Sequence, residues 1–171
     1  KNKLKLKLMI NKIFLSLGSN QGDKIKNLNS AIISIKKFAV INHISNYFLS
    51  EAIDVRKQED FINIALEIST QLSADELLLS IKEIEVSMGR DITKIGEPRV
   101  IDIDIIFYNN IVYNTKDIEI PHPRAHKRAF VIYPILEIDS KFVHPVLKKT
   151  IQEISNELPR QKLVKLEDKI Y

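Results

Sequence analysis

The segment Arg99-Val-Ile-Asp102-Ile-Asp104-Ile-Ile sets two carboxylates two residues apart inside an apolar run. On a strand, residues at that spacing project from the same face. Burying two like charges side by side is costly unless something positive neutralises them. Divalent magnesium bound with a polyphosphate would do so, because Mg²⁺ prefers carboxylate, phosphate and water oxygens. Two other outcomes are open: both aspartates on a solvated sheet face, or pairing with nearby arginines. Ile101, Ile103, Ile105 and Ile106 argue against a fully solvated strand, which puts the metal ahead.

Cations flank this strand: Arg90, Lys94 and Arg99 before it, and His122, Arg124, His126, Lys127 and Arg128 after it. Guanidinium groups bind phosphate oxygens in bidentate fashion, although a basic run is more often a solvated surface. Around an acidic pair, these cations point to a triphosphate site rather than a nucleic-acid groove. The chain has no GxxxxGK[ST] loop, which excludes a Walker-type nucleotide binder. Phe61, Asn63 and Phe130 could stack on and hydrogen-bond a flat heterocycle, or the phenylalanines could simply pack. His122 or His126 could serve as a base, contact phosphate or be structural.

Positioning such a site takes one domain's worth of core. The chain has 171 residues, 44% hydrophobic and 28% charged, ordinary for a folded domain. A net charge of +4 favours an anionic partner, and the absence of cysteine excludes disulfides and thiolate metal sites. A cytoplasmic location fits the absence of cysteine. No apolar run reaches the ~20 residues of a membrane span. Lys1, Lys3, Lys5 and Lys7 alternate with apolar and polar neighbours, but no signal-peptide core follows. Residues 1–8 are expected to be a leader or upstream remnant before Met9, and 9–171 a single domain with a C-terminal helix and tail.

Periodicity orders the elements. Ile13–Leu17 reads as a strand ending in a Gly18-Ser19-Asn20 turn, followed by a helix from Asp23 with Leu28, Ala31, Ile32 and Ile35 on one face. Residues 42–49 and 61–69 read as strands; in the second, Phe61, Asn63, Ala65 and Glu67 share a face. Ser73-Ala-Asp-Glu76 is a capping box opening a helix that Gly89 terminates. A polar loop spans 91–98, and a strand spans 99–108. Short strands at 111–112 and 118–120, a helix over 125–135 bent or ended by Pro134, and a last helix over 149–156 complete the chain. The predicted class is α+β: a ferredoxin-like βαββαβ antiparallel sheet with helices on one face and a ligand cleft on the other.

Taken together, Leu17-Gly-Ser-Asn20, Phe61-Ile-Asn63, Glu85 with Gly89-Arg90, Pro98-Arg99-Val-Ile-Asp102-Ile-Asp104 and Pro121-His-Pro-Arg-Ala-His-Lys-Arg-Ala-Phe130 resemble the 6-hydroxymethyl-7,8-dihydropterin pyrophosphokinase family. The resemblance covers roughly Ile13 to Ile138. It implies transfer of the β,γ-diphosphate of ATP to a pterin hydroxymethyl oxygen in folate biosynthesis, with release of AMP. Asp102 and Asp104 match the ligands of two Mg²⁺, Phe61 and Phe130 the aromatics around the pterin, and Asn63 the amide that reads its edge. Arg90, Arg99 and Arg128 match cations near the phosphates, Arg90 and Arg99 being assigned catalytic roles with the two aspartates. Glu85 and His122 match nucleotide contacts, and 91–97 is expected to form a lid.

Gly96-Glu97 stands before Pro98 where some members carry an aromatic and a glycine, and Lys82 replaces a glutamine of some members. The implied partners are small molecules, with neither nucleic acid nor membrane, and fusion to another folate-pathway enzyme is open. A ferredoxin-like nucleic-acid module and a two-metal nuclease are the competing functions; aspartates on the central strand weigh against the first.

Overall fold

A computed structural model of the chain describes residues 11–52, 58–91, 93–94 and 96–167. The expected leader, residues 1–8, lies outside the described residues, as do two positions of the expected lid, 92 and 95. The elements are β1 (Ile13–Ser19), α1 (Lys24–Ile35), β2 (Val40–Ile44), β3 (Phe48–Ser50), β4 (Phe61–Ser69), α2 (Ala74–Ser87), β5 (Asp102–Tyr108), β6 (Tyr113–Asn114), β7 (Glu119–Ile120), a 3-10 turn (Ala125–Lys127), α3 (Ala129–Ile138), α4 (Ile151–Glu157) and β8 (Leu163–Lys165). The fold is mixed α/β around an antiparallel sheet in the order β5-β1-β4-β3-β8, with β2 also paired to β4 and a small β6-β7 hairpin apart.

β1 is buried along its whole length between β4 and β5. Its odd-numbered residues Ile13, Leu15 and Leu17 pack with Ile64, Leu66 and Ile68 of β4, Ile103 and Ile105 of β5, and the apolar faces of α1 and α2. Phe14 faces the other way, with Ala65, Ile106 and Phe107, onto Val131, Ile132 and Ile135 of α3 and Ile151 and Ile154 of α4. Helices therefore cover both faces, which corrects the expectation of helices on one face alone. The composition of α3 explains it: Val131, Ile132, Pro134 and Ile135 are all buried, and a helix this apolar must be covered. α3 and α4 lie over the Phe14 end of their face, and the Gly18 end stays open as a cleft.

Three further expectations change. Gly18 and Ser19 continue β1 instead of turning, because both pair with β4. The helix expected over 125–135 starts at Ala129 and runs through Pro134 to Ile138, burial of its apolar face outweighing one missing N–H. β8, in the expected tail after the last helix, adds a strand beside β3. Among the described residues no helix is long and apolar enough to cross a membrane.

Both ends of α2 are closed, and the second bears on the site. The Ser73–Glu76 capping box is formed in both directions, with Glu76 N–H to Ser73 Oγ at 3.3 Å and Ser73 N–H to Glu76 Oε2 at 2.8 Å. At the other end of α2, Gly89 takes φ 99, Gly89 N–H reaches Val86 O and Arg90 N–H reaches Glu85 O. That paired closure needs a left-handed residue and turns the chain back on the helix. It also sets Arg90 beside Glu85.

The ring of Phe14 meets those of Phe107 and Phe142 edge-on at 6.1 and 5.1 Å between centroids. Phe14→Ala is expected to lower the unfolding free energy by about 3–5 kcal/mol in urea denaturation, since a fully buried ring is replaced by a cavity.

Candidate active site

On β5, Ile103 and Ile105 enter the core under α1 and α2, which forces Asp102 and Asp104 onto the opposite face. The sheet register then builds two rows. Asp102 lies beside Gly18, which lies beside Asn63; Asp104 lies beside Ser16, which lies beside Ala65. Small residues on the central strand keep these rows low. A Cβ at Gly18 would stand 3.0 Å from Asn63 Oδ1 and 3.4 Å from a Phe61 ring carbon, so glycine makes the cleft floor.

The cleft holds about 510 Å³ and brings together Phe61, Asn63, Arg90, Arg99, Asp102, Asp104, His122, Arg128 and Phe130. Of the residues singled out in the sequence, Glu85, Lys94, His126 and Lys127 do not line it. Glu85 is 5% exposed inside the wall, where its Oε1 accepts Ile103 N–H at 2.8 Å and pairs with the Arg90 guanidinium. Burial raises the Glu85 carboxyl above its ordinary range, against the pull of the Ile103 N–H and Arg90. It thus ties α2, β5 and Arg90 to one another.

Asp102 has both oxygens engaged, Oδ1 by Arg90 at 3.0 Å and Oδ2 by Arg99 at 2.8 Å. Pairing with arginine, one of the open outcomes for the two aspartates, is what Asp102 shows. Asp104 differs. Its side chain is 38% accessible, and the His122 ring stands beside it with Nε2 at 3.9 Å from Oδ2, beyond a hydrogen bond. Burial in the cleft wall, then the charge of Asp102, push the Asp104 carboxyl up to about 7.

His122 is pushed down to about 4 by burial, then by Arg128 and Arg124. Its Nδ1 accepts the Arg124 N–H at 3.2 Å, so the neutral ring carries its proton on Nε2, on the Asp104 side. That makes His122 a neutral donor rather than a base. His126 faces a different hollow, its ring 6.0 Å from that of His144.

Sequence reasoning gave Asn20 only as a turn and motif residue and passed over Gln58. Asn20 is 1% exposed and exchanges hydrogen bonds with the Arg99 backbone, its N–H to Arg99 O at 3.1 Å and Arg99 N–H to its Oδ1 at 2.6 Å. Its Nδ2 donates to Gln58 Oε1 at 3.1 Å, and Gln58 in turn donates to Gly96 O. Asn63 donates through Nδ2 to Ser50 Oγ at 2.8 Å and Phe48 O at 3.3 Å. Its oxygen is thereby aimed at the floor beside Gly18. Alternating small residues in an apolar strand, Ser16 and Gly18, were the signal available for the floor.

Among the described residues no three His, Cys, Asp or Glu side chains gather as a metal cluster. Asp102 and Asp104 offer hard oxygens on one face, and Asp104 lacks a close cation. This donor set suits a cation that takes its remaining ligands from phosphate and water.

A family model described as 7,8-dihydro-6-hydroxymethylpterin-pyrophosphokinase (HPPK) matches residues 14–140. The chain belongs to the HPPK family. The 2-amino-4-hydroxy-6-hydroxymethyldihydropteridine pyrophosphokinase of Aquifex aeolicus is 40% identical over 145 residues, covering 85% of this chain and 91% of that protein. The folic acid synthesis protein FOL1 of Dictyostelium discoideum is 41% identical over 149 residues, and the match spans 87% of this chain but 23% of that one. The bifunctional protein FolKE of Lactococcus lactis subsp. lactis is 40% identical over 146 residues, 83% of this chain and 42% of that one. A crystal structure of wild-type HPPK-DHPS from Plasmodium falciparum shares the fold, with a TM-score of 0.71 at 17% identity over 86% of this chain and 44% of that one. Folate-pathway HPPK sequences thus occur both nearly alone and inside longer polypeptides.

The raised carboxyl has a stability consequence. With a folded pKa near 7 and an unfolded value near 3.9, the folded state holds the Asp104 proton more tightly, so stability falls as pH rises from about 4 through about 7. In chelator-treated protein, Asp104→Asn is expected to raise the Tm at pH 8 and to change it little at pH 4, measured by thermal denaturation at both values.

Proposed function

We propose that the chain transfers the β,γ-diphosphate of ATP to the hydroxymethyl oxygen of 6-hydroxymethyl-7,8-dihydropterin, releasing AMP, as a step of folate biosynthesis. The observation that carries this is the layout of the cleft. Carboxylates and arginines gather at Asp102, and two phenyl rings with an inward-tied amide stand across the Gly18 floor. HPPK membership supplies the reaction class.

The acceptor oxygen forms a bond to the β-phosphorus as the bond from that phosphorus to the oxygen shared with the α-phosphate breaks. AMP leaves with that oxygen, and the hydroxymethyl proton passes to solvent. Such transfers need in-line placement and charge stabilisation more than covalent help from the protein. Phe61 and Phe130 would hold the pterin ring, and Asn63 Oδ1 would accept from its N–H edge. Arg90 and Arg99, already poised on Asp102, would take up charge on the phosphates, with Arg128 and the His122 Nε2–H beside them. Asp102 and Asp104 would hold two magnesium ions, which supply neutralisation and orientation of the phosphates when bound.

The sheet order β5-β1-β4-β3 supports a ferredoxin-like core in which β2 and β3 share the place of one strand. Relatives named as bifunctional or as longer folic acid synthesis proteins support an arrangement with, or fusion to, another folate-pathway enzyme. A cytoplasmic location fits the absence of cysteine.

Asp102→Ala and Asp104→Ala are each expected to reduce AMP release from Mg-ATP and the pterin by about a thousandfold or more, with the far-UV circular dichroism unchanged. Near-wild-type turnover in either variant would remove the carboxylate pair from the mechanism.

A further inference from the structure

α3 begins at the cleft, and its first turn lacks a cap of its own. Arg128 occupies the N-cap position with φ −115 and ψ 110, and its side chain caps nothing. The missing partner comes from the C-terminal tail. Gln161 Oε1 accepts the Ala129 N–H at 3.0 Å, and Gln161 Nε2 donates to Lys127 O at 2.9 Å. One carboxamide therefore clasps the backbone on both sides of Arg128. Arg128 and Phe130 both line the cleft, the guanidinium carbon standing 5.7 Å from the Phe130 ring centre.

Packing does not do this job alone. Phe130 is only partly buried, and a hollow of about 180 Å³ that it borders also reaches Ser50, Ala129, Gln161 and Leu163. The backbone that carries the ring sets where its Cβ points, so a clasp on that backbone bears directly on the ring's position. Gln161 is itself fixed, because the strand two residues on, β8, pairs with β3, Leu163 opposite Ser50 and Lys165 opposite Phe48. Ser50 Oγ and Phe48 O are the acceptors of the Asn63 amide. The same strip of tail thus braces the aromatic and the amide sides of the cleft, and it lies beyond residue 140, where the family match ends.

We infer that Gln161 is a positioning residue for the heterocycle end of the cleft, acting through the Lys127–Phe130 backbone to set Phe130 for the pterin. This rests on the function proposed above.

Gln161→Met keeps the size and removes both hydrogen bonds, while Gln161→Glu keeps the acceptor for Ala129 N–H and loses the donor to Lys127. Thr150→Ala serves as a control: Thr150 caps α4 through Glu153 N–H at 3.1 Å and takes no part in the cleft. Dissociation constants are measured in the full chain for the pterin, by its fluorescence with a non-hydrolysable ATP analogue and magnesium present, and for the analogue alone. Gln161→Met is expected to weaken the pterin about five- to tenfold, because binding must re-order the turn that the clasp held, and the analogue, whose phosphates also meet Arg90 and Arg99, less than about twofold. Gln161→Glu is expected to fall between it and wild type, and Thr150→Ala to lower the Tm without moving either constant. Equal weakening of both ligands, an unchanged pterin constant in Gln161→Met, or a Thr150→Ala that weakens the pterin equally would overturn the inference. Wild type that binds no pterin would overturn the proposed function and this inference with it; wild type that binds, beside a variant equal to it, overturns the inference alone.

Discussion

Two like charges on one face of one strand are the constraint around which the molecule is arranged. The isoleucines between and beyond them must be buried under α1 and α2, so Asp102 and Asp104 have no freedom to turn away. The protein resolves the conflict unequally. Asp102 receives two guanidinium groups, while Asp104 receives none in contact and holds its proton to about 7. Each arginine has to be delivered from a different direction. The left-handed closure at Gly89 brings Arg90, and the backbone exchange with Asn20 brings Arg99.

The sheet then explains why a cleft exists at all. The partner residues Leu15↔Ile105 and Phe14↔Phe107 enclose one extra residue, Ile106, a bulge in the β1–β5 pairing. Ile106 and Phe107 consequently both join the core under α3 and α4, although they are neighbours in sequence. One strand thus changes character along its length, acidic and open at Asp102, apolar and covered past the bulge. Gly18 and Ser16 do the same for β1 with small side chains.

Much of this was legible in the residues themselves. Alternation in 61–69 assigned Phe61, Asn63 and Ala65 to one face, the Ser73–Glu76 box marked the start of α2, and Gly89 marked its end. What escaped were features made by distant partners. Gly18-Ser-Asn looks like a turn until β4 is known to lie alongside. Gln58 and Gln161 act through hydrogen bonds to backbone far away in sequence, and a glutamine leaves no periodic trace. The covered second face was hidden for a related reason: the hydrophobic stretch 129–138 announces burial but not which surface it seeks. Glu85 was found by its motif company, yet its neighbours are a backbone N–H and Arg90 inside the wall, a position no spacing rule reveals.

The inward tether of Asn63 has a further meaning for chemical discrimination. With both amide hydrogens committed to Ser50 and Phe48, this residue meets a guest through a lone pair only. A heterocycle in the tautomer that turns an N–H toward it completes a hydrogen bond. The tautomer that turns a bare ring nitrogen or carbonyl there sets lone pair against lone pair. On the function proposed above, the floor would favour the isomer that turns an N–H toward Asn63, a preference that β3 sets through Phe48 O and Ser50 Oγ.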